Sequence, residues 1–334
     1  MSDNTQLRLA TVGTSMITEK FLNAADRTAG LLPYGVFSRS EEKARALGKP
    51  HGAEAFYTDY AQLLADDKVD VVYIAAPNSL HYKYMLQAID AGKAVICEKP
   101  FVSNMREFNE IKRKTKEKNA MVLEAITVLS MPNMAVLKNA LCSIAPLHLV
   151  RIDFSIFSPR YALLREGERS NIFSTEYSGG AMYDLGVYCA HIAVALFGKP
   201  QRITALCNSK EFGVDTSGEV LLQYESMVCA LSFSKDTFVN AESIFQGENG
   251  CVKAFGSPGK LSKLTLTKAG GAVEDISLTQ DENPMVYEAA DFVRIIKNRD
   301  NDAVQRAMEQ SEAVMQLLCD ARKSAGIVFE ADKA

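Results

Sequence analysis

The sequence predicts an α/β chain: a parallel sheet wound by helices, followed by an α+β domain with an open, mostly antiparallel sheet. Three observations predict it. The apolar run Leu7–Val12 breaks into Gly13-Thr14-Ser15-Met16-Ile17-Thr18, a strand, a tight turn and a helix start. From there to Glu124, continuous apolar runs alternate with amphipathic segments, the pattern of a parallel sheet covered on both faces. Beyond that point apolar and polar residues alternate singly between Gly, Asn and Asp turns, the pattern of antiparallel strands.

Taken in order, the first-half strands are expected at Leu7–Val12, Tyr34–Phe37, Val69–Ala75, Ala94–Cys97 and Met121–Glu124. Helices are expected between them at Glu19–Ala25, Ser40–Leu47, Tyr60–Leu64, Leu80–Ala91 and Met105–Lys118. The second half offers strands at Leu147–Phe157, Gln201–Leu206, Val220–Tyr224, Val228–Ser232, Ser243–Gln246, Cys251–Phe255 and Leu264–Thr267. A helix at Met182–Leu196 interrupts them, and Val286–Lys297 and Ala303–Ala325 read as surface helices. The implied domains are 1–126 and 127–334, with the last helices free to pack back on the first domain.

Bulk composition narrows the function. A net charge of −4 gives no electrostatic case for nucleic acid or an anionic membrane. No apolar run approaches the roughly 20 residues of a membrane span. The polar start Met1–Gln6 lacks a signal-peptide core, so a cytoplasmic location is expected. The seven cysteines are scattered without a C-x-x-C pair and there are four histidines, so buried reduced thiols and no metal site are expected.

Chemistry concentrates where the predicted parallel strands end, since ligands in such sheets sit beyond the carboxyl ends. Gly13, Ser15, Met16 and Ile17 occupy the first strand–helix turn, where free backbone N–H groups suit a pyrophosphate. Ser15 and Thr18 stand where the full G-x-G-x-x-G fingerprint has its second and third glycines, and an ordinary strand–turn–helix is the alternative. At the second strand end, Ser38, Arg39 and Ser40, with Lys43 one turn on, replace the acid that would bind a ribose 2′-hydroxyl. Hydroxyls and a guanidinium suit a 2′-phosphate, so NADP(H) is favoured with NAD(H) possible. Ser38 and Glu41 also read as a capping box, which needs no ligand. Ala76, Pro77 and Asn78 end the next strand. Lys99 ends another, held extended by Pro100; a surface lysine before a turn is the alternative. Asp184 and Tyr188, one helical turn apart, share a face of the Met182–Leu196 helix. Gly179 and Gly180 permit close approach to its start, and Gly186 implies tight packing or a nearby ligand. His191 is a competing base. Charge compensation for Asp184 and core packing for Tyr188 are the alternatives.

These motifs in this order resemble the Gfo/Idh/MocA oxidoreductases. The resemblance rests on Ala76-Pro77-Asn78-Ser79-Leu80-His81, Ala91-Gly92-Lys93-Ala94-Val95-Ile96-Cys97-Glu98-Lys99-Pro100 and Gly179-Gly180-Ala181-Met182-Tyr183-Asp184-Leu185-Gly186-Val187-Tyr188. It is strongest to the branch with dimeric dihydrodiol dehydrogenase and NADP-dependent xylose dehydrogenase, which has Tyr at the last position. The resemblance implies a Rossmann domain and an open sheet that supports a homodimer or homotetramer. It implies that Lys99 neighbours the nicotinamide and the reacting oxygen, Tyr188 is the acid/base and Asp184 orients the substrate or the acid. Pro77, Asn78, His81, Glu98 and Glu124 would line the cofactor side. Phe173 stands where that branch would have Arg.

The expected reaction is hydride transfer between a nicotinamide and a sugar, cyclitol or related secondary alcohol. A tyrosine needs help to act as base, because its reference pKa is about 10. An ammonium about 4 Å away contributes roughly 4 kcal/mol at an effective dielectric near 20, or about three pKa units before desolvation opposes it. The alternative is a non-catalytic NADP(H)-binding sensor or interaction protein.

Overall fold

The computed structural model describes residues 6–168, 170–208, 213–239 and 241–333. The chain divides into two units, residues 1–125 with 281–311, and residues 126–280 with 312–334.

The first unit alternates strands and helices: β1 (Leu7–Val12), α1 (Met16–Ala25), β2 (Leu31–Phe37), α2 (Glu41–Gly48), β3 (Ala55–Tyr57), α3 (Tyr60–Ala65), β4 (Val71–Ile74), α4 (Asn78–Asp90), β5 (Ala94–Glu98), α5 (Met105–Lys118) and β6 (Val122–Ala125). The six strands lie in the order β3-β2-β1-β4-β5-β6, all parallel. The order reverses between β1 and β4, which makes their carboxyl ends the topological switch point where such sheets bind ligands. β1 pairs on both sides, Val12 opposite Phe37 of β2 and Ile74 of β4. That is why Leu9, Ala10 and Val12 are fully or almost fully buried. Phe21 of α1 stacks on Tyr73 of β4, centroids 3.8 Å apart, in a core that also takes Ala289, Phe292 and Val293 from the late chain.

Two local expectations are corrected. β3 was not anticipated, being three residues long. The capping box at Ser38 and Glu41 does not form. The Ser38 N–H donates to the Tyr57 carbonyl at 3.1 Å, so sheet pairing runs through Ser38, and Ser40 becomes the cap by accepting from the Lys43 N–H at 3.4 Å.

The second unit contains α6 (Pro132–Ile144), β7 (Leu147–Ser155), α7 (Pro159–Arg165), a π-helical turn Met182–Gly186 running into α8 (Val187–Phe197), β8 (Arg202–Asn208), β9 (Ser217–Gln223), β10 (Val228–Ser234), β11 (Glu242–Gly247), β12 (Gly250–Phe255), β13 (Lys263–Lys268) and β14 (Val273–Asp275). α6, α7 and β14 were not anticipated. The eight strands lie in the order β14-β13-β12-β11-β7-β10-β9-β8, and only the β7–β10 pair is parallel. Helices α6 and α8 cover one face. On the other face Leu149, Leu206, Leu221 and Val228 are exposed. α9 (Met285–Asn298) follows this sheet in sequence yet clusters with the first unit, and α10 (Asn301–Ser324) supplies residues to both. No helix among the described residues is long and apolar enough to cross a membrane.

Candidate active site

In the first unit the switch point is shaped by Gly13. Its φ is +105°, and a Cβ there would lie 2.5 Å from the Ala75 carbonyl oxygen. Only glycine allows β1 and β4 to end so close together. α1 starts immediately after, and the Ser15 side chain makes no cap to its backbone N–H groups. The Ser15 and Thr18 hydroxyls meet at 3.2 Å; Thr18 is buried and Met16 exposed. At the end of β2, Ser38 is half-buried while Arg39 and Lys43 are exposed. No carboxylate occupies the position that would bind a ribose 2′-hydroxyl.

His81 joins the next two loops. Its Nε2 lies 2.8 Å from the Ala76 carbonyl and its Nδ1 2.9 Å from the Pro100 carbonyl. The ring is buried, and burial pushes its pKa down against the pull of both carbonyls. His81 therefore fixes the Ala76-Pro77-Asn78 loop to the Lys99-Pro100 loop, and its contacts are structural. Glu98 is buried and accepts the Tyr73 hydroxyl at 2.5 Å. Burial pushes its carboxyl up to about 7, opposed by the Lys99 charge and the Tyr73 hydrogen bond. Glu124 is buried and accepts the Ser311 hydroxyl at 2.5 Å. These three form the wall behind the strand ends. Pro77, Asn78 and Lys99 stay half-exposed in front of it, and the Lys99–Pro100 peptide is cis.

In the second unit the chain from Ser178 to Val194 is buried except at two residues, Asp184 and Tyr188. The two candidate catalytic side chains there are thus the ones that reach solvent. The rings of Tyr188 and Phe154 of β7 meet in a T-shaped pair, centroids 5.3 Å apart. His191 is fully buried. The glycines before the turn serve protein contacts: a Cβ on Gly179 would run into the Ile172 carbonyl, and one on Gly180, at φ +114°, into the Asp215 carboxylate. A Cβ on Gly186 would press on the Phe233 ring at 2.9 Å, so its role is packing against β10.

Two residues of this site escaped the sequence reading. Asp215, 2% exposed, accepts the Met182 N–H at 2.5 Å, and its carbonyl accepts the Ala181 N–H at 2.9 Å. Burial pushes its carboxyl up to about 6. Lys235, just past β10, forms an ion pair with Asp184. The signal was present: Cys229, Leu231 and Phe233 alternate on the buried face of β10, and two more residues bring Lys235 to the same side. Phe173 is buried beside Tyr161. Among the described residues no group of three His, Cys, Asp or Glu side chains could hold a metal ion.

The first unit thus ends in a glycine turn at the switch point of a parallel sheet, and the second carries a half-exposed carboxylate and phenol. The oxidoreductase family with an NAD-binding Rossmann fold matches residues 7–126, and the GFO/IDH/MocA C-terminal domain matches residues 143–260. The chain is 33% identical over 328 residues, 98% of its length and 100% of the relative's, to the scyllo-inositol 2-dehydrogenase (NADP(+)) IolU of Bacillus subtilis. It is 28% identical to the trans-1,2-dihydrobenzene-1,2-diol dehydrogenase of Bos taurus over 89% of this chain and 90% of that one. The chain belongs to the Gfo/Idh/MocA oxidoreductase family. The same fold recurs in a 3-ketoreductase from Actinomadura kijaniata in complex with NADP and TDP-benzene, at 19% identity and a TM-score of 0.85, covering 96% of this chain and 98% of that one. It also recurs in the aldose-aldose oxidoreductase of Caulobacter crescentus, at 17% identity and a TM-score of 0.82, covering 96% and 98%.

Proposed function

We propose that this protein is an NADP(H)-preferring dehydrogenase that oxidises or re-forms a secondary alcohol of a cyclitol or sugar, with Lys99, Tyr188 and Asp184 acting on the substrate. The observation that carries the reading is the restriction of solvent access between Ser178 and Val194 to Asp184 and Tyr188. A buried helix that spares only a carboxylate and a phenol is built to offer them to a ligand.

The residues at the first switch point fit a dinucleotide. Gly13 leaves a cradle that a Cβ would fill, the uncapped N-terminus of α1 suits a pyrophosphate, and Ser38, Arg39, Ser40 and Lys43 suit a 2′-phosphate. The bound nicotinamide would supply the hydride acceptor or donor. Pro77, Asn78 and Lys99 would face it, backed by His81, Glu98 and Glu124. Tyr188 would take the proton of the substrate hydroxyl, or return it to a carbonyl in the reverse direction. Lys99 would stabilise the tyrosinate and polarise the substrate oxygen. Asp184 would accept a neighbouring substrate hydroxyl and fix which carbon presents its hydrogen.

The preference for cyclitols and sugars draws on the full-length likeness to the scyllo-inositol dehydrogenase. The exposed apolar face of the eight-stranded sheet would pair two copies into a homodimer or homotetramer. Seven free cysteines support a reducing compartment such as the cytoplasm. A panel of inositols, aldoses and trans-dihydrodiols with NADP+ and NAD+, followed by nicotinamide absorbance, tests the reading. Turnover of a polyol with NADP+ preferred is expected. Turnover of none, or a preference for NAD+, would overturn it.

A further inference from the structure

We propose that Lys235 is a positioning residue of the reaction, holding the Asp184 carboxylate in place from behind. The inference rests on the reading above that Asp184 meets the substrate. The side chain of Lys235 is 4% exposed and that of Asp184 24%. One end of the ion pair is therefore sealed in protein, and the other reaches the surface that a ligand would use.

The backbone of Lys235 is pinned on both sides. Its N–H donates to the Thr216 carbonyl at 2.8 Å, and its carbonyl accepts the Ser158 N–H at 2.9 Å. Phe233, two residues back on the same face, packs against Gly186, so β10 and the π-helical turn are held in close register. Lys235 reaches that turn from a fixed strand end. A lysine out of water needs an acidic partner, since an isolated buried ammonium is costly. Asp184 supplies it directly. Asp215, which holds the start of the same turn through the Met182 N–H, feels the Lys235 charge as well. One cation thus lies within reach of two acids that frame residues 182–184, and Tyr188 follows one turn later on α8.

This arrangement assigns the proton. A carboxylate held by an ammonium is a steady acceptor for a substrate hydroxyl and a poor proton donor, so proton transfer falls to Tyr188. It also separates two roles of Asp184: orienting substrate, and neutralising a buried cation. Removing either partner disturbs the fold, whereas removing both leaves neither half of this ion pair with its charge unmatched.

The test uses the full chain, with scyllo-inositol and NADP+ as probes and thermal melting measured in parallel. Lys235→Met is expected to lower kcat about 100-fold with the KM for NADP+ unchanged, as a small displacement of an orienting group does. Its melting temperature should fall by about 10 °C. Lys235→Arg should recover part of kcat. The Asp184→Asn/Lys235→Met double variant should recover most of the melting temperature and none of the turnover, which keeps the test decisive if Lys235→Met folds poorly. A slow Asp184→Asn beside a Lys235→Met of normal kcat would overturn the positioning role. A normal kcat in Asp184→Asn would instead overturn the function assigned to Asp184.

Discussion

The two units place their candidate groups by different means. In the first, each candidate residue lies within a few positions of a strand's carboxyl end: Gly13 after β1, Ser38 after β2, Ala76 to Asn78 after β4, and Lys99 after β5. These positions share one edge of the sheet, because parallel strands all end there. In the second unit the turn around Asp184 is held by Asp215 and Lys235, which come from the approaches to β9 and the end of β10. A parallel sheet writes its site into local motifs. The antiparallel unit builds support from strands distant in sequence.

One glycine from each unit separates the two roles. Gly13→Ala pushes a Cβ into the Ala75 carbonyl at positive φ, and Gly180→Ala pushes one into the buried Asp215 carboxylate. Each should cost about 3 kcal/mol or more in local strain. Gly13→Ala should weaken NADP+ binding about 100-fold in a fluorescence titration. Gly180→Ala should keep that affinity and lose turnover. Equal loss of cofactor affinity in both would show that the division of labour is wrong.

A pH experiment sharpens the first region. Glu98, buried, has its pKa raised from 4.5 to about 7. Below the unfolded value both states hold the proton. Between 4.5 and 7 the unfolded chain releases it first, so stability falls as pH rises through that window and levels off above it. The loss is about 3 kcal/mol for this one group. Glu98→Gln retains an acceptor for the Tyr73 hydroxyl and should flatten that part of the stability–pH curve in urea melts. An unchanged slope would mean that Glu98 does not hold its proton in the fold.

The smallest expected effect concerns cofactor choice. Arg39 and Lys43 are exposed just beyond β2, and a serine, Ser38, follows its last residue. Arg39→Ala with Lys43→Ala should lower the preference for NADP+ over NAD+ about tenfold, with kcat on saturating cofactor retained. An unchanged preference would move 2′-phosphate recognition elsewhere.

Much of the fold was legible because its signals are local. The bounds of β1 and α5 agree with the sequence reading at both ends, one by its apolar run and one by its Asn104 cap and amphipathic face. The parallel half and the mostly antiparallel half also follow from their patterns. β3 and β14 are three residues each, too short to show a period. α6 was missed although Met134, Leu137, Leu141 and Ile144 mark its buried face and Pro132 opens it. At Ser38 and Ser40 two caps compete, and the pairing of Ser38 with Tyr57 decides between them, which no local pattern records. The candidate residues Lys99, Asp184 and Tyr188 were readable as motifs. Asp215 and Lys235 were not, since a lone acid or lysine at a strand end carries no sign of its partner until the strands are paired.

The proposed hydride transfer needs an ammonium, a phenol and a carboxylate from separate parts of the chain. It is tested most directly by single-turnover kinetics of Lys99→Ala and Tyr188→Phe with scyllo-inositol and saturating NADP+, beside a cofactor titration of each. A rate lowered about 100-fold or more is expected in both variants, with NADP+ affinity retained. Wild-type rates in both would contradict it.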